Sequence, residues 1–556
     1  MLSKSSFLNA ISNFWGKKIF IFLFLLNLLT NSTILLSYNS FDFVWKWFVI
    51  SALFAAVEGI VYHLFKRISL HKAFLIFVVF FHISLSIVDI FLYYNFNFLF
   101  GQDAVDIIAQ TTTTEAKSFL STYLTIPFVL CITILTLIAL YVLRLIATKL
   151  SHKKYISLGF ILLAIIGLIV YGVTIVNFVL YHNGQAVPQL HSFTRAAYSS
   201  KVLFDRNKQI STLQEINGAL KATMPAPDKQ VGTIIAIVGE SFSSYHSSLY
   251  GYSKETNPLL AKRAEEGSLT VFTDAVTFSD HTEVAMCSVF PLNRQPDQYF
   301  TAPLFPACFK AAGYHTEMFD NQYFVGKGIT FLTDATLSSQ MFDYRNDKGY
   351  VYDGDILEDL HLANEPQLIV LHLQGQHYTY SDRYPQEFSQ FKPQDYSNLT
   401  EDQKAVVAHY DNATLYNDYV IDQIIERVKD TDCIIVYFSD HGEELFEVDD
   451  YIGHGNAAFR YDPTFQMKVP LFVWTSETFN SKHNDIAKRI KEAADKPVMT
   501  SDIPHFLIDV ANLDTDQFVP ELSFINDKYK IRNRIILNSI DYDDVISKQK
   551  SKARYE

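Results

Sequence analysis

The sequence predicts two architectures in one chain: an α-helical membrane domain of five transmembrane helices, and an α/β soluble domain with a doubly wound sheet. Three observations predict this. Hydrophobic residues make up 49% of the 556 residues, yet Phe, Leu, Ile and Val crowd into the first third. The remainder is polar and acidic, and there short apolar runs rich in β-branched residues alternate with helical stretches. Two of those runs end abruptly in Glu240-Ser241 and in Asp440-His441-Gly-Glu443, where an open α/β sheet binds its ligands.

The membrane segments come first. Apolar stretches at Lys18–Ser37, Val44–Phe65, Phe74–Tyr94, Tyr123–Ile146 and Tyr155–Val179 each approach the about 20 residues a bilayer needs. No small-residue cleavage site follows the first, so it reads as a span and not as a removed signal. Lys4, Lys17 and Lys18 precede it. Lys66, Arg67 and Lys72 lie between the second and third spans, and Arg144, Lys149, Lys153 and Lys154 between the fourth and fifth. The opposite loops hold Asp42, Asp103, Asp106, Glu115 and Lys117. The positive-inside rule then gives a cytoplasmic amino terminus and an external carboxyl domain. Within the loop at 95–121, Asp103–Ile108 and Thr114–Tyr123 have amphipathic helical character suited to a membrane surface. The Thr111–Thr114 run before Glu115 reads either as a helix cap or as a polar contact for a lipid headgroup.

The predicted domains are 1–180 for the membrane part, 181–230 for a bridging segment and linker, 231–540 for the soluble domain, and 541–556 for a mobile charged tail. Met224-Pro-Ala-Pro-Asp-Lys229 has the composition of a linker. Strands are expected at Thr233–Val238, Leu269–Ala275, His315–Phe319, Leu368–Leu373, Cys433–Phe438 and Leu471–Trp474. Helices are expected at Pro258–Glu266, Glu283–Phe290, Leu304–Ala312, Asp355–Leu362, Glu401–Lys429 and Asp502–Ala511. The alternation points to a doubly wound sheet and not to an antiparallel one.

A net charge of −13 argues against a nucleic-acid partner, because phosphate backbones are bound by a surplus of Lys and Arg. Four Cys make neither a disulfide framework nor a CxxC zinc pattern. Cys287 and Cys308 are open to two readings, a bridge in an oxidising compartment or two small buried residues.

The chemistry concentrates at the strand ends. Glu240, Asp440 and His441 are a donor set for Zn²⁺. A metal-assisted transfer needs a nucleophile beside the ion. Ser241 follows Glu240 directly, but neighbours on a strand point to opposite faces unless the chain bends. Thr282, in Ser279-Asp-His-Thr282-Glu-Val, opens a predicted helix whose amino terminus suits a phosphoryl group; the alternative is an ordinary helix cap. His377 follows a strand on the same sheet edge, and His454 sits in Gly453-His-Gly455. Both are placed to hold a phosphate or a second metal, whereas His372, inside its strand, reads as a packed core residue.

Taken together, these residues resemble the bacterial phosphoethanolamine transferases of the alkaline phosphatase and sulfatase superfamily. The resemblance spans nearly the whole chain. It is carried by Val238-Gly-Glu-Ser241, Leu249-Tyr-Gly-Tyr-Ser-Lys-Glu-Thr-Asn-Pro258, His377-Tyr-Thr-Tyr-Ser-Asp-Arg-Tyr-Pro385, Tyr410-Asp-Asn-Ala-Thr-Leu-Tyr-Asn-Asp418 and Ser439-Asp-His-Gly-Glu443. It implies an alkaline phosphatase-like soluble domain in the periplasm, held by a multi-pass anchor in the bacterial inner membrane. It implies Thr282 as a metal-bound nucleophile and Glu240, Asp440 and His441 as the other zinc ligands. His377 and His454 match phosphate-holding or second-zinc positions, and Lys327, Glu115, Asn321 and Thr111 match substrate-binding positions. The implied reaction moves phosphoethanolamine from phosphatidylethanolamine, through a phosphorylated Thr282, to lipopolysaccharide, on a core sugar or a lipid A phosphate. The alternative is a phosphoethanolamine or glycerol-phosphate transferase acting on a periplasmic glucan or another envelope polymer. A sulfatase needs a C/S-x-P/A-x-R context, which Ser241-Phe-Ser-Ser-Tyr lacks. The sequence also departs from the lipid A-directed branch, the one tied to polymyxin resistance. Phe278 and Ser288 stand where that branch carries Cys, and His281-Thr282 looks more like the branch acting on core sugars or glucans.

Overall fold

The computed structural model describes residues 18–37, 41–96, 99–101, 104, 126–150, 162–170, 191–295, 298, 300–325, 330–455 and 462–552. The chain divides into two compact units, Met1–Asn207 and Lys208–Glu556.

In the first unit, α1 (Lys18–Thr30), α2 (Phe41–Arg67), α3 (His71–Phe96) and α4 (Ile126–Leu150) follow four of the expected spans. Val44–Arg67, His71–Tyr94 and Ile132–Lys149 are long and apolar enough to cross a membrane, and Lys18–Thr33 is a shorter apolar helix. The first expected span is interrupted at Asn31–Thr33 by a tighter 3₁₀ turn. There Thr30 Oγ1 bonds back to Leu26 O at 2.8 Å, a local competitor of the helical ladder. Of the fifth expected span, residues 162–170 are helical and the rest lies outside the described residues, as do Thr111 and Glu115.

Polar side chains cross-link this unit. Asn27 Nδ2 donates to Glu58 Oε2 at 2.8 Å, and His82 Nε2 meets Glu58 Oε1 at 2.6 Å. Thr30 Oγ1 lies 3.3 Å from His82 Nδ1, and His191 Nε2 lies 2.9 Å from Asn27 Oδ1. A second knot pairs Asp89 with Arg195 and with Thr33 Oγ1, the latter at 2.8 Å. Buried charge inside an apolar bundle survives only with such partners.

The stretch expected as a bridging segment contains a 28-residue helix, α5 (Ser192–Ala219). Ile210 and Leu213 are buried and Phe193 is exposed, and the polar composition of the helix hides its period in the sequence.

In the second unit the strands form a seven-stranded sheet. They are β1 (Thr233–Gly239), β2 (Leu269–Phe272), β3 (His315–Asp320), β4 (Tyr344–Arg345), β5 (Gln367–His372), β6 (Cys433–Ser439) and β7 (Leu471–Thr475). Their order is β2-β7-β6-β1-β5-β3-β4. β1 lies parallel between β5 and β6 and is buried along its whole length, which explains its unbroken apolar run. Successive side chains feed two core layers. Ile234, Ala236 and Val238 pack into one, and Ile235 and Ile237 into the other.

Two expectations about the strands need correcting. The sheet is mixed, because β7 runs antiparallel to both β6 and β2. A fully buried strand shows the same apolar run in either direction, so the sequence pattern carries no sign of this. The expected strand Leu269–Ala275 breaks at Thr273-Asp274, and Ala275–Val276 pairs instead with Val498–Met499.

The principal helices of this unit are α6 (Pro258–Glu265), α7 (Thr282–Val289), α8 (Phe305–Ala312), α9 (Glu401–Val428), α10 (Ile503–Ala511) and α11 (Tyr542–Lys552). The expected helix Asp355–Leu362 is only the short turn Ile356–Asp359. The expected mobile tail contains α11, seated by buried Tyr542 and by Arg534, which pairs with Asp543 and Asp274. Cys287 and Cys308 remain thiols, both buried, and burial pushes Cys308 up to about 12.

Candidate metal centre

β1 and β6 end side by side, with Gly239 opposite Ser439, so the next residues of each strand, Glu240 and Asp440, emerge together. Glu240, Asp440 and His441 are all buried, and their ligand atoms lie within 4.8 Å of one another. His441 Nε2 is 3.3 Å from Glu240 Oε1 and 3.3 Å from Asp440 Oδ2. His441 Nδ1 sits 2.9 Å from Gly442 O, so that nitrogen carries the proton and Nε2 turns its lone pair to the cluster when the ring is neutral.

α7 supplies the fourth group. His281 occupies the cap position with extended backbone and makes no side-chain cap bond. Thr282 is the first helical residue, and its hydroxyl is not a cap. Thr282 Oγ1 lies 3.2 Å from Glu240 Oε2, 3.4 Å from Glu240 Oε1 and 3.3 Å from His441 Nε2.

The electrostatics are those of a cation site. Burial and the facing Glu240 carboxylate push Asp440 up to about 7. Burial alone would depress His441, but Asp440 and Glu240 outweigh it and raise the ring to about 10. Burial would likewise raise Glu240, yet its hydrogen bond to His441 holds it well below the usual range. Asp440 Oδ1 is satisfied by Ser241 N at 3.1 Å and His441 N at 2.7 Å, whereas Asp440 Oδ2 is buried and accepts no hydrogen bond from the described residues. Two carboxylates, one imidazole, one hydroxyl and an unsatisfied buried oxygen fit a divalent ion such as zinc.

Other sequence-selected residues fall around this cluster. His454 lies beside it, with its ring 4.1 Å from that of His441. His454 Nδ1 meets Glu443 Oε2 at 2.6 Å, and His441, Glu443 and His454 make a second group with metal-ligand spacing. His377 is exposed on the loop after β5. Asn321 is buried, and its side chain is engaged with Asp353 Oδ1 at 3.0 Å and Tyr350 N at 2.7 Å. Lys327, like Glu115 and Thr111, lies outside the described residues.

Sequence reasoning passed over several contributors. Ser241 has a left-handed backbone, φ 56°, so the chain does bend and Ser241 Oγ donates to Glu240 Oε1 at 2.8 Å. Tyr380 OH donates to Glu443 Oε1 at 2.7 Å. Gln322 Nε2 donates to Glu240 Oε2 at 2.9 Å, one residue beyond the Asn321 that the sequence singled out. Gly375, at φ 47°, brings its turn against Glu240, where a Cβ would stand 2.8 Å from the backbone oxygen. A Gly at a strand end was the one available sequence signal for that close approach.

A family model described as sulfatase matches residues 232–513, just over half of the chain. The chain belongs to the sulfatase family. The phosphoethanolamine transferase EptC of Escherichia coli K12 is 29% identical over 528 residues, covering 89% of this chain and 90% of that protein. The phosphoethanolamine transferase CptA of Salmonella typhimurium LT2 is 28% identical over 483 residues, covering 80% and 82%. The crystal structure of the C-terminal periplasmic domain of Escherichia coli EptC, in complex with zinc, matches with a TM-score of 0.52 at 29% identity, over 58% of this chain and 96% of that one. The integral membrane lipooligosaccharide phosphoethanolamine transferase A of Neisseria meningitidis shares the fold, with a TM-score of 0.62 at 19% identity over 91% and 97% of the two chains.

Proposed function

We propose that this sulfatase-family chain is a zinc-dependent phosphoethanolamine transferase, moving the headgroup of phosphatidylethanolamine to a lipopolysaccharide acceptor through phosphorylated Thr282. The observation that carries the reading is the Thr282 hydroxyl, held 3.2–3.4 Å from both Glu240 and His441 at the start of α7. The names and zinc complex of the relatives support it.

Glu240, Thr282, Asp440 and His441 would hold the zinc, which supplies charge neutralisation and favours ionisation of the hydroxyl. Glu240 Oε2 is the nearest oxygen to receive the hydroxyl hydrogen bond. The Thr282 oxygen then attacks phosphorus, a new P–O bond forms, and the bond to diacylglycerol breaks. The positive end of the α7 dipole lies beside that oxygen. In this reading His377 and His454 hold the phosphoryl oxygens or a second zinc, and Lys327, Thr111, Glu115 and Asn321 bind substrate. A hydroxyl or phosphate of the acceptor takes the group from Thr282 in a second displacement of the same kind.

The reading places five spans in a bacterial inner membrane and the second unit in the periplasm, where both lipid substrates are within reach. The test uses the full chain in detergent with headgroup-labelled phosphatidylethanolamine. The wild type releases diacylglycerol and carries label on Thr282, and Thr282→Ala does neither. Undiminished release by the variant removes Thr282 from the role, and turnover of phosphatidylglycerol in its place moves the enzyme to a glycerol-phosphate class. Mass spectrometry of lipid A and core fractions, with and without the protein, then assigns the acceptor; no increment on either directs the search to a glucan.

A further inference from the structure

We propose that Gln322 is a positioning residue for metal capture, its carboxamide fixing Glu240 while Arg345, Asp320 and His372 fix Gln322 from behind. The proposal rests on reading Glu240, Asp440 and His441 as metal ligands.

Gln322 is half-buried just past the end of β3. Its Nε2 donates to Glu240 Oε2 at 2.9 Å and to Leu373 O at 2.7 Å, and lies 3.2 Å from His372 Nε2. His372 Nδ1 faces Asp320 Oδ1 at 3.0 Å, so a proton sits on Nδ1. The amide nitrogen faces two acceptor oxygens, Glu240 Oε2 and Leu373 O. A flipped amide would aim its own oxygen at both, so only one orientation of the side chain fits.

Asp320 and His372, behind it, are fully buried. Asp320 Oδ1 also accepts Gln322 N and Tyr323 N, each at 2.9 Å, and Asp320 Oδ2 accepts Arg345 Nη2 at 2.7 Å. Arg345 is tied in turn to Tyr323 O at 2.7 Å and to Leu332 O. The Tyr323 ring lies parallel to that of His372, with centroids 5.7 Å apart. One carboxylate thus sets the backbone of Gln322 and holds the His372 ring against its amide.

The consequence falls on Glu240. Its Oε1 is held by Ser241 Oγ and its Oε2 by Gln322, so the carboxylate cannot turn away from the cluster. Without the amide, Oε2 would be left buried beside Asp440 with one donor fewer, and the carboxylate would be free to rotate away from the cluster. That rotation weakens it as a ligand. A group behind a ligand commonly sets about 10- to 100-fold in metal affinity.

A role confined to tying the loop after β3 to the loop after β5, through Leu373 O, is the competing explanation. Zinc affinity separates the two. The full chain in detergent is stripped of metal and titrated with zinc against a chromophoric chelator, for wild type, Gln322→Leu and Gln322→Ala, with thermal melting of each metal-free protein. The expected result is a loss of about 10- to 100-fold in zinc affinity for both variants, with metal-free melting close to wild type. Asp320→Asn, acting one step further back, loses less. Affinity within about twofold of wild type in a folded variant overturns the proposal, as does a loss seen only where melting collapses. A wild type that binds no zinc overturns the metal reading and takes this proposal with it.

Discussion

Both units contain a buried cluster of carboxylates and histidines, and the two are built on opposite principles. In the helical unit Glu58 meets His82 and Asn27, and Asp89 meets Arg195 and Thr33, so each charge has a complement within the protein. At the sheet edge Glu240 and Asp440 face each other across His441, and Asp440 Oδ2 is left without a hydrogen bond. The first arrangement is complete as it stands. The second faces two carboxylates toward one imidazole and leaves an oxygen that an added cation would fit. Buried ionisable groups are thus sorted by what remains after internal pairing, not by their number.

Mutations that remove one member of each cluster test the contrast. The largest effect is expected at Thr282→Ala, which should lower headgroup transfer on the order of 10⁴-fold while leaving the melting temperature near wild type, measured as diacylglycerol release. Next, Asp89→Ala leaves the Arg195 guanidinium buried without its carboxylate and should destabilise the protein by about 3–5 kcal/mol, read from melting in detergent. A neutral result there would mean that the helical network is not needed for the fold.

A pH effect of intermediate size is expected at His246. Burial alone would lower this ring, but Asp411, with Nδ1 2.7 Å from Oδ1, and Glu447 raise it to about 9. A raised folded value means that the native state holds the proton more tightly than the unfolded chain. The stabilisation is complete below about 6.5 and is lost as pH rises toward about 9, a span worth about 3 kcal/mol. Melting of the wild type should therefore fall over that interval, and His246→Asn should flatten the slope.

The smallest effect carries the opposite sign. Asp440→Asn removes one of two facing buried carboxylates, so the metal-free protein should become more stable by about 1 kcal/mol while zinc binding is lost. Destabilisation of the metal-free form instead would place Asp440 with the paired type of cluster.

The same contrast explains what could be read from the sequence. β1 and β6 are central and run parallel to each other, and their unbroken apolar runs and terminal Glu240, Asp440 and His441 were legible because burial on both faces leaves a plain mark. The direction of β7 left no mark, because direction does not alter burial. α5 was missed because few of its positions are apolar. Gln322 was invisible for a different reason: its role depends on Asp320 and His372, which come together only through the pairing of β3 with β5. Ser241 was set aside on the rule that strand neighbours alternate, a rule that ends where the backbone turns left-handed.

That turn has a bearing on engineering. A non-glycine residue in the left-handed region carries a conformational penalty of about 1 kcal/mol or more, which glycine would relieve. Ser241→Gly would relieve that strain and with it discard the hydroxyl that steadies Glu240. Selection for robustness and selection for turnover would pull this single codon in opposite directions, so a useful screen must score both at once.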